Sequence, residues 1–132
     1  MQIATEPIFE AILDIELTNG NDGRQKSWYK PAKERKFFES LLVARGLRRK
    51  PFKGPVVVVV TRILGQGQRL WDSSSGLRGN YKELEDAMVA CGWFEDDSSP
   101  WIKETRFLQD ADNRDLGPAV QIQVYEAAGA IS

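Results

Sequence analysis

Apolar and polar residues are arranged along this chain in patterns that predict four β-strands. From Phe9 to Leu17 they alternate loosely, which is typical of a first strand that ends at the turn-rich residues 19–23. From Val56 to Thr61 every residue is β-branched, which predicts a central strand buried on both faces. Two further strands are expected near Trp101 to Leu108 and at Ala119 to Tyr125, where the second alternates apolar residues with glutamine.

Apolar residues follow a helical period in the segment after residue 30. Pro31 suits the first turn of a helix, and the pattern continues as far as Gly46. Lys33 and Lys36 are expected on the outer side of this helix. The apolar residues that recur at helical spacing are Phe37, Phe38, Leu41, Leu42 and Ala44.

A second helix is predicted to follow Asn80. This asparagine is a favourable N-cap, and Glu83 is placed for a capping box. A one-sided apolar stripe then runs to Gly92, and its members are Tyr81, Leu84, Met88 and Cys91. The predicted order is β-α-β-α-β-β, an α+β fold in which a small mixed sheet packs with two main helices.

Length and composition favour a single cytoplasmic domain. The 132 residues, 42% of them hydrophobic, fit one domain with its own core. Residues 19–30 are expected to form a loop and 127–132 a frayed tail. No apolar run approaches the ~20 residues that cross a bilayer, and the first residues lack a signal-peptide pattern, so no membrane contact is expected. The lone Cys91 fits a reducing compartment and a place in the core.

Charge is distributed unevenly although the net charge is only −1. Between Arg24 and Lys53 there are eleven Lys/Arg and two Asp/Glu, which leaves seven Lys/Arg and seventeen Asp/Glu for the rest. This asymmetry predicts a basic surface that contacts an anionic polymer, beside an acidic half able to hold cations. A solvated basic helix and loop without a partner fits the charge pattern equally well.

The residues able to carry chemistry lie between Arg69 and Glu104. Asp72 is predicted just after a strand, Lys82 in the first turn of the second helix, and Asp96 with Asp97 just beyond that helix. The chain has no histidine, so hydrolysis of a phosphodiester would need oxygen ligands for Mg²⁺ and a positive group near the scissile phosphate. These residue types meet both needs and predict a phosphate-binding, metal-dependent site.

Several elements of this stretch follow one another in a specific order. They are Asp72, Lys82, Asp86-Ala87-Met88 and the run from Gly92 to Asp97, continued by Ser98, Pro100 and Trp101. Upstream stand Pro51-Phe52, Gly54-Pro55, the valine strand and the stretch from Thr61 to Arg69. In this order the chain resembles the RusA family of Holliday-junction resolvases, over roughly residues 30–126.

The resemblance implies a homodimeric, Mg²⁺-dependent endonuclease that cuts branched DNA such as Holliday junctions in recombination and repair, with Mn²⁺ as another usable metal. It also implies that Asp72 and Asp97 bind the metal and that Lys82 stabilises charge at the phosphate. The basic residues expected to follow the DNA backbone are Lys30, Lys33, Lys36, Arg48, Arg49 and Lys50.

One position departs from the family. The second acid of the family's pair falls on Ser74, whose neutral hydroxyl is a weaker metal ligand than a carboxylate. Asp96 or Glu95 is a candidate for the missing carboxylate. The predicted metal ligands are therefore Asp72, Asp96 and Asp97.

The same residues also have interpretations without a function. Lys82 and Asp86 can form a surface ion pair one helical turn apart, and Asp96 with Asp97 can be turn formers. The run Gly65-Gln66-Gly67 is interpreted as a turn rather than a phosphate-binding loop. Two other functions stay open: a RusA fold that binds branched DNA without cutting it, and a RusA-shaped domain whose basic segment binds a protein.

Overall fold

The computed structural model describes residues 5–17, 30–71, 80–96 and 100–127. The strands are β1 (Phe9–Leu13), β2 (Val56–Ile63), β3 (Ile102–Asp110) and β4 (Ala119–Glu126), and the helices are α1 (Pro31–Ala44) and α2 (Tyr81–Ala90). A short 3₁₀ helix, Arg114–Leu116, precedes β4. The order β-α-β-α-β-β is the one predicted. Within the described residues, neither helix is long and apolar enough to cross a bilayer.

The four strands form one mixed sheet in the order β1-β4-β2-β3. β2 runs parallel to β3 and antiparallel to β4, and β1 pairs with β4 in antiparallel register. The parallel pair requires a crossover connection, and α2 lies within the segment that joins β2 to β3. The carboxyl ends of β2 and β3 therefore meet at the same edge of the sheet, with Arg62 opposite Gln109.

The valine strand β2 is central, as predicted, and all of its eight residues are buried. Its alternate side chains enter two apolar clusters. Val56, Val58 and Val60 join the main core with the buried residues of both helices. Val57 and Val59 pack on the other face with Ala127 and Tyr125. Burial of each such side chain contributes about 1.5–3 kcal/mol, so this strand stabilises the domain through both faces of the sheet.

Helix α1 begins at Pro31, as the sequence predicts, but buries a narrower face than its apolar pattern indicates. Only Phe38 and Leu42 of this helix are fully buried. Phe37, which the pattern groups with them, has 55% of its surface exposed. Adjacent residues of a helix point about 100° apart, and Phe38 rather than Phe37 is directed at the core. Lys33 and Lys36 are exposed, as expected.

Helix α2 begins after Asn80 and buries Tyr81, Leu84 and Met88, which confirms its predicted start and apolar stripe. The expected cap differs, because the Asn80 side chain makes no capping hydrogen bond to α2. Instead its amide donates to Glu34 Oε1 of α1 at 2.6 Å and to the Glu16 carbonyl at 3.4 Å. Asn80 is fully buried, so this contact fixes the start of α2 against α1.

The segment after α2 returns the chain to the core. Cys91 is buried in the main cluster, as predicted. Trp93 is fully buried and its indole nitrogen donates to the Leu47 carbonyl at 2.7 Å. The predicted turn at Gly65-Gln66-Gly67 is also present, with Gly67 at a φ of +79°. Ala127 extends the sheet by donating to the Pro55 carbonyl, and residues 128–132 of the expected frayed tail lie outside the described residues.

Candidate active site

Lys82 lies in the first turn of α2, where the sequence placed it. Its ammonium is 3.2 Å from Asp86 Oδ1 and 3.6 Å from Glu85 Oε1. The surface ion pair between Lys82 and Asp86, which was the interpretation of these residues without a function, is therefore present. The side chains of Lys82 and Asp86 are 50% and 36% exposed, and an exposed pair of this kind is worth at most about 1 kcal/mol. An anionic ligand can therefore replace Asp86 as the partner of the Lys82 ammonium with little loss of free energy.

An open cleft of about 360 Å³ lies between the start of α2 and the middle of β3. Its lining residues are Tyr81, Lys82, Glu85, Thr105 and Phe107. The Tyr81 and Phe107 rings meet edge to face, with centroids 5.1 Å apart. The cleft thus combines two aromatic rings with one cation, one carboxylate and the hydroxyl of Thr105, a mixture suited to a polar ligand that carries negative charge.

Tyr81 carries the one buried side-chain polar atom that has no hydrogen-bond partner within the described part of the chain. Burial raises the pKa of its hydroxyl well above the ordinary value, and the nearby Glu85 carboxylate raises it further. The phenol therefore stays protonated at neutral pH. A buried polar group without a partner is unfavourable by about 1–3 kcal/mol, so the Tyr81 hydroxyl destabilises the fold next to Lys82.

Trp71, the residue before Asp72, is held at the carboxyl ends of β2 and β3. The Gln109 side chain accepts from the Trp71 backbone N–H at 2.9 Å and donates to its carbonyl at 3.0 Å. The Arg62 guanidinium lies 3.9 Å from the centre of the Trp71 ring. These contacts give Trp71 a fixed backbone direction without its belonging to a strand.

Arg62 is the centre of this polar network. It is 7% exposed, and it donates to Gln109 Oε1 at 2.9 Å and to the Arg69 carbonyl at 3.0 Å. Burial lowers the pKa of its guanidinium, and the Glu16 carboxylate partly offsets this effect. Neither Arg62 nor Gln109 was among the predicted site residues. The sequence signal for the network role of Arg62 is a charged residue near the end of a buried strand that is otherwise apolar or β-branched.

The turn that follows β2 is tied to the segment between β3 and β4. Arg114 donates to the carbonyls of Gly65 and Gln68 at 2.7 and 2.8 Å. Gln68 accepts from the Gly65 backbone N–H at 2.7 Å and donates to Glu16 at 2.9 Å. The chain that leads toward Asp72 is thus tied by hydrogen bonds at Gly65, Gln68, Arg69 and Trp71.

The predicted acidic residues are only partly within the described structure. Asp96 is exposed beyond the end of α2, as predicted. Asp72, Ser74 and Asp97 lie outside the described residues, so the convergence of Asp72 and Asp97 on Lys82 stays a prediction. The expectation that Asp72 directly follows a strand is wrong in one respect, because β2 ends at Ile63 and a turn and coil occupy residues 64–71. The described residues contain no group of three or more acids, histidines or cysteines that could hold a metal ion.

The basic residues predicted to contact DNA lie at the N-cap of α1, on α1 and in the segment that follows it. Lys30, Lys33, Lys36, Arg48 and Lys50 are exposed. Arg49 is different, because its guanidinium stacks 3.6 Å from the centre of the Phe52 ring and its Nε donates to the Lys50 carbonyl at 2.8 Å. Partial burial lowers the pKa of this guanidinium. Arg49 therefore has a packing role within the domain in addition to any contact with a ligand.

Comparison with protein-family models and with curated proteins finds no match for this chain. Its function is therefore inferred from its own residues and their geometry.

Proposed function

We propose that this chain is a RusA-like, Mg²⁺-dependent endodeoxyribonuclease that acts in the cytoplasm, as a homodimer, on four-way DNA junctions. The observation that carries the proposal is Lys82 at the rim of an open cleft, in the first turn of a helix that leads toward Asp96. A lysine so placed can contact the scissile phosphate and stabilise the charge that develops there.

The proposed metal ligands are Asp72, Asp96 and Asp97. All three offer carboxylate oxygens, and the chain lacks histidine and has one cysteine, which is buried. This donor set fits a hard ion such as Mg²⁺, which is often held by one or two carboxylates with water and phosphate oxygens completing its shell. When bound, the ion would polarise the phosphate and lower the pKa of an attacking water.

The basic residues at the start of α1, on it and in the segment after it would bind the DNA backbone. Their proposed members are Lys30, Lys33, Lys36, Arg48, Arg49 and Lys50. The hydrogen bond from Asn80 to Glu34 at 2.6 Å ties α1 to the start of α2. Because that contact fixes the helix that carries Lys82 against the basic helix, a DNA backbone on α1 has a defined position relative to the cleft.

A second candidate function is binding of branched DNA without cleavage. Two observations favour it. Ser74 replaces one family acid, and Lys82 already has two carboxylates of its own helix within 3.6 Å. A site with fewer metal ligands and a paired lysine would bind a junction through the basic residues alone.

We expect the wild-type protein to cut a synthetic four-way junction in Mg²⁺ or Mn²⁺ and to be inactive in EDTA. Lys82→Ala should lower the rate about 100- to 1,000-fold, the usual effect of losing one group that stabilises transition-state charge. Rates are measured under single-turnover conditions with protein in excess. Lys53→Ala, which removes an exposed lysine before β2, serves as the control and should cut normally. Junction binding without cleavage in either metal would instead support the second candidate.

We expect DNA binding to weaken steeply with salt, because each neutralised phosphate releases condensed counterions. Lys33→Glu and Lys36→Glu should each weaken binding to all sequences alike and lower the slope of log K against log salt by ~0.9. Fluorescence anisotropy over a salt series measures both effects. Lys53→Glu changes the net charge equally but lies off α1, so a smaller effect is expected. An affinity that does not change between low and physiological salt would favour a protein partner.

A further inference from the structure

Three residues of α1 and the N-cap residue before it form an exposed surface in which an aromatic ring stands among lysines. This surface, the Phe37 surface, consists of Lys30, Lys33, Lys36 and Phe37, all exposed. Lys30, Lys33 and Phe37 are spaced three and four residues apart and therefore share one face of the helix. Ser40 and Ala44 continue the same face and are exposed as well. The core side of α1, marked by Phe38 and Leu42, points elsewhere.

The Phe37 ring is anchored on one side and open on the other. It contacts the ring of Phe38 with centroids 5.7 Å apart and planes tilted by 55°. Phe38 is 1% exposed, whereas Phe37 is 55% exposed. Phe37 is therefore held in position by a core residue while half of its surface faces solvent. Such an arrangement presents an aromatic surface with little conformational freedom left to lose on binding.

The charges around Phe37 identify the chemistry of a partner. Within the described part of the chain, none of the three lysines forms an ion pair. The two acidic residues of α1 are committed to other contacts: Glu34 accepts from Asn80 at 2.6 Å, and Glu39 lies 3.7 Å from Arg35. The Phe37 surface is thus positively charged and calls for an anionic partner. A second copy of this chain fits poorly, because a two-fold interface here would bring identical lysines together.

We propose that Phe37 stacks on an unpaired base of bound DNA while Lys30, Lys33 and Lys36 bind the flanking phosphates. Phosphates alone would need only the lysines, whereas an aromatic face among them matches the stacking platforms on which single-stranded nucleic acids are held. Bases inside a duplex are already stacked on each other. The Phe37 surface therefore adds selectivity for unpaired bases, such as those exposed when a junction opens. This inference rests on the proposed DNA-binding function and deepens it.

The test compares single-stranded DNA with a duplex of the same sequence, both fluorescein-labelled and bound in EDTA. Phe37→Ala is expected to weaken single-strand binding about 10- to 100-fold and duplex binding less than 2-fold, with an unchanged salt slope. Phe37→Trp should restore single-strand binding. Phe37→Leu, which keeps apolar bulk without an aromatic face, should stay weak. Leu108→Ala is the matched control, since Leu108 is 53% exposed and lies on β3.

Each other outcome overturns the inference in a recognisable way. Equal effects of Phe37→Ala on both DNAs, or none on either, would show that Phe37 does not stack on bases while leaving the lysine contacts intact. Single-strand binding by Phe37→Leu at the wild-type affinity would show that an apolar side chain is sufficient and an aromatic ring is not needed. Loss of self-association by Phe37→Ala in light scattering, with unchanged DNA binding, would assign the surface to a second copy. Absence of any DNA binding by the wild type would overturn the proposed function as well.

Discussion

Asp72→Asn is expected to lower the rate of metal-dependent junction cleavage by at least ~1,000-fold, because loss of the metal removes several kcal/mol of charge stabilisation. The substitution keeps the size of the side chain and removes its negative charge, and Mg²⁺ depends on carboxylate oxygens for much of its binding. Junction binding in EDTA should be unchanged, because the residues proposed to bind the DNA backbone are basic residues of α1 and its flanking segments rather than Asp72. Single-turnover cleavage and anisotropy on the same protein preparation measure the two quantities.

Asp115→Asn is a suitable control for this experiment. Asp115 is an exposed acid in the 3₁₀ helix between β3 and β4, and its loss changes the net charge equally. Normal cleavage by Asp115→Asn would attribute the effect at residue 72 to metal binding. Cleavage by Asp72→Asn at the wild-type rate would contradict the proposed metal site.

Ser74→Asp provides the reciprocal variant of the same site. It adds the carboxylate that the RusA family, which the sequence resembles, has at the corresponding position, and one more anionic ligand is expected to raise both metal affinity and the cleavage rate. With only two or three other carboxylates, the wild type should be slow, and it should work better with Mn²⁺ than with Mg²⁺. If Ser74→Asp changes neither metal binding nor cleavage, Ser74 is not the counterpart of the missing acid.

The secondary structure could be predicted closely because its determinants are local. The β-branched run that forms β2 is continuous, and the apolar stripe from Tyr81 to Cys91 recurs at helical spacing, so each is recognisable within its own short segment. Both helix ends are also marked locally, by Gly46 and Gly92, whose φ angles are +70° and +91°. These features do not depend on the rest of the fold, so sequence reasoning identified them.

The exposure of Phe37 could not be predicted in the same way. The sequence presents two adjacent phenylalanines, and a helical period alone allows either to face the core. Packing of α1 on α2 and the sheet decides between them, and it places Phe38 in the main cluster. Phe37, which the helical period wrongly assigned to the core face, is the residue proposed to stack on DNA bases.

The surroundings of Trp71 were unpredictable for a related reason. Gln109 lies 38 positions from Trp71 in the chain, yet its amide makes both hydrogen bonds to the Trp71 backbone. Asn80 likewise reaches Glu34 across 46 positions instead of capping its own helix. The Trp71 contacts depend on the strand order, in which β2 lies beside β3, and the Asn80 contact depends on the packing of α1 against α2. Local patterns assign the candidate residues to helices, strands or loops. The direction of the backbone that leads to Asp72 is set instead by long-range side-chain contacts.

Two glycines occupy the same position after the two helices and differ only in their surroundings. After α2, the Gly92 N–H donates to the Val89 carbonyl and the Trp93 N–H to the Met88 carbonyl, both at 3.0 Å. After α1, Gly46 and Leu47 make the equivalent bonds at 3.0 and 2.9 Å. Both glycines have the left-handed conformation that ends a helix in this way. A Cβ at residue 46 would meet open space, whereas one at residue 92 would collide with the Arg49 carbonyl oxygen.

Gly92→Ala is therefore expected to lower the free energy of unfolding by about 2–5 kcal/mol, through left-handed strain and forced separation of packed backbone. The separation matters because the Arg49 N–H donates to the Cys91 carbonyl and the Phe52 N–H to the Trp93 carbonyl, both at 3.1 Å. Gly46→Ala carries the strain alone and should lose only about 1–2 kcal/mol. Urea denaturation followed by tryptophan fluorescence measures both variants. Equal losses of unfolding free energy in the two variants would show that a Cβ at residue 92 causes no destabilising collision with the Arg49 carbonyl.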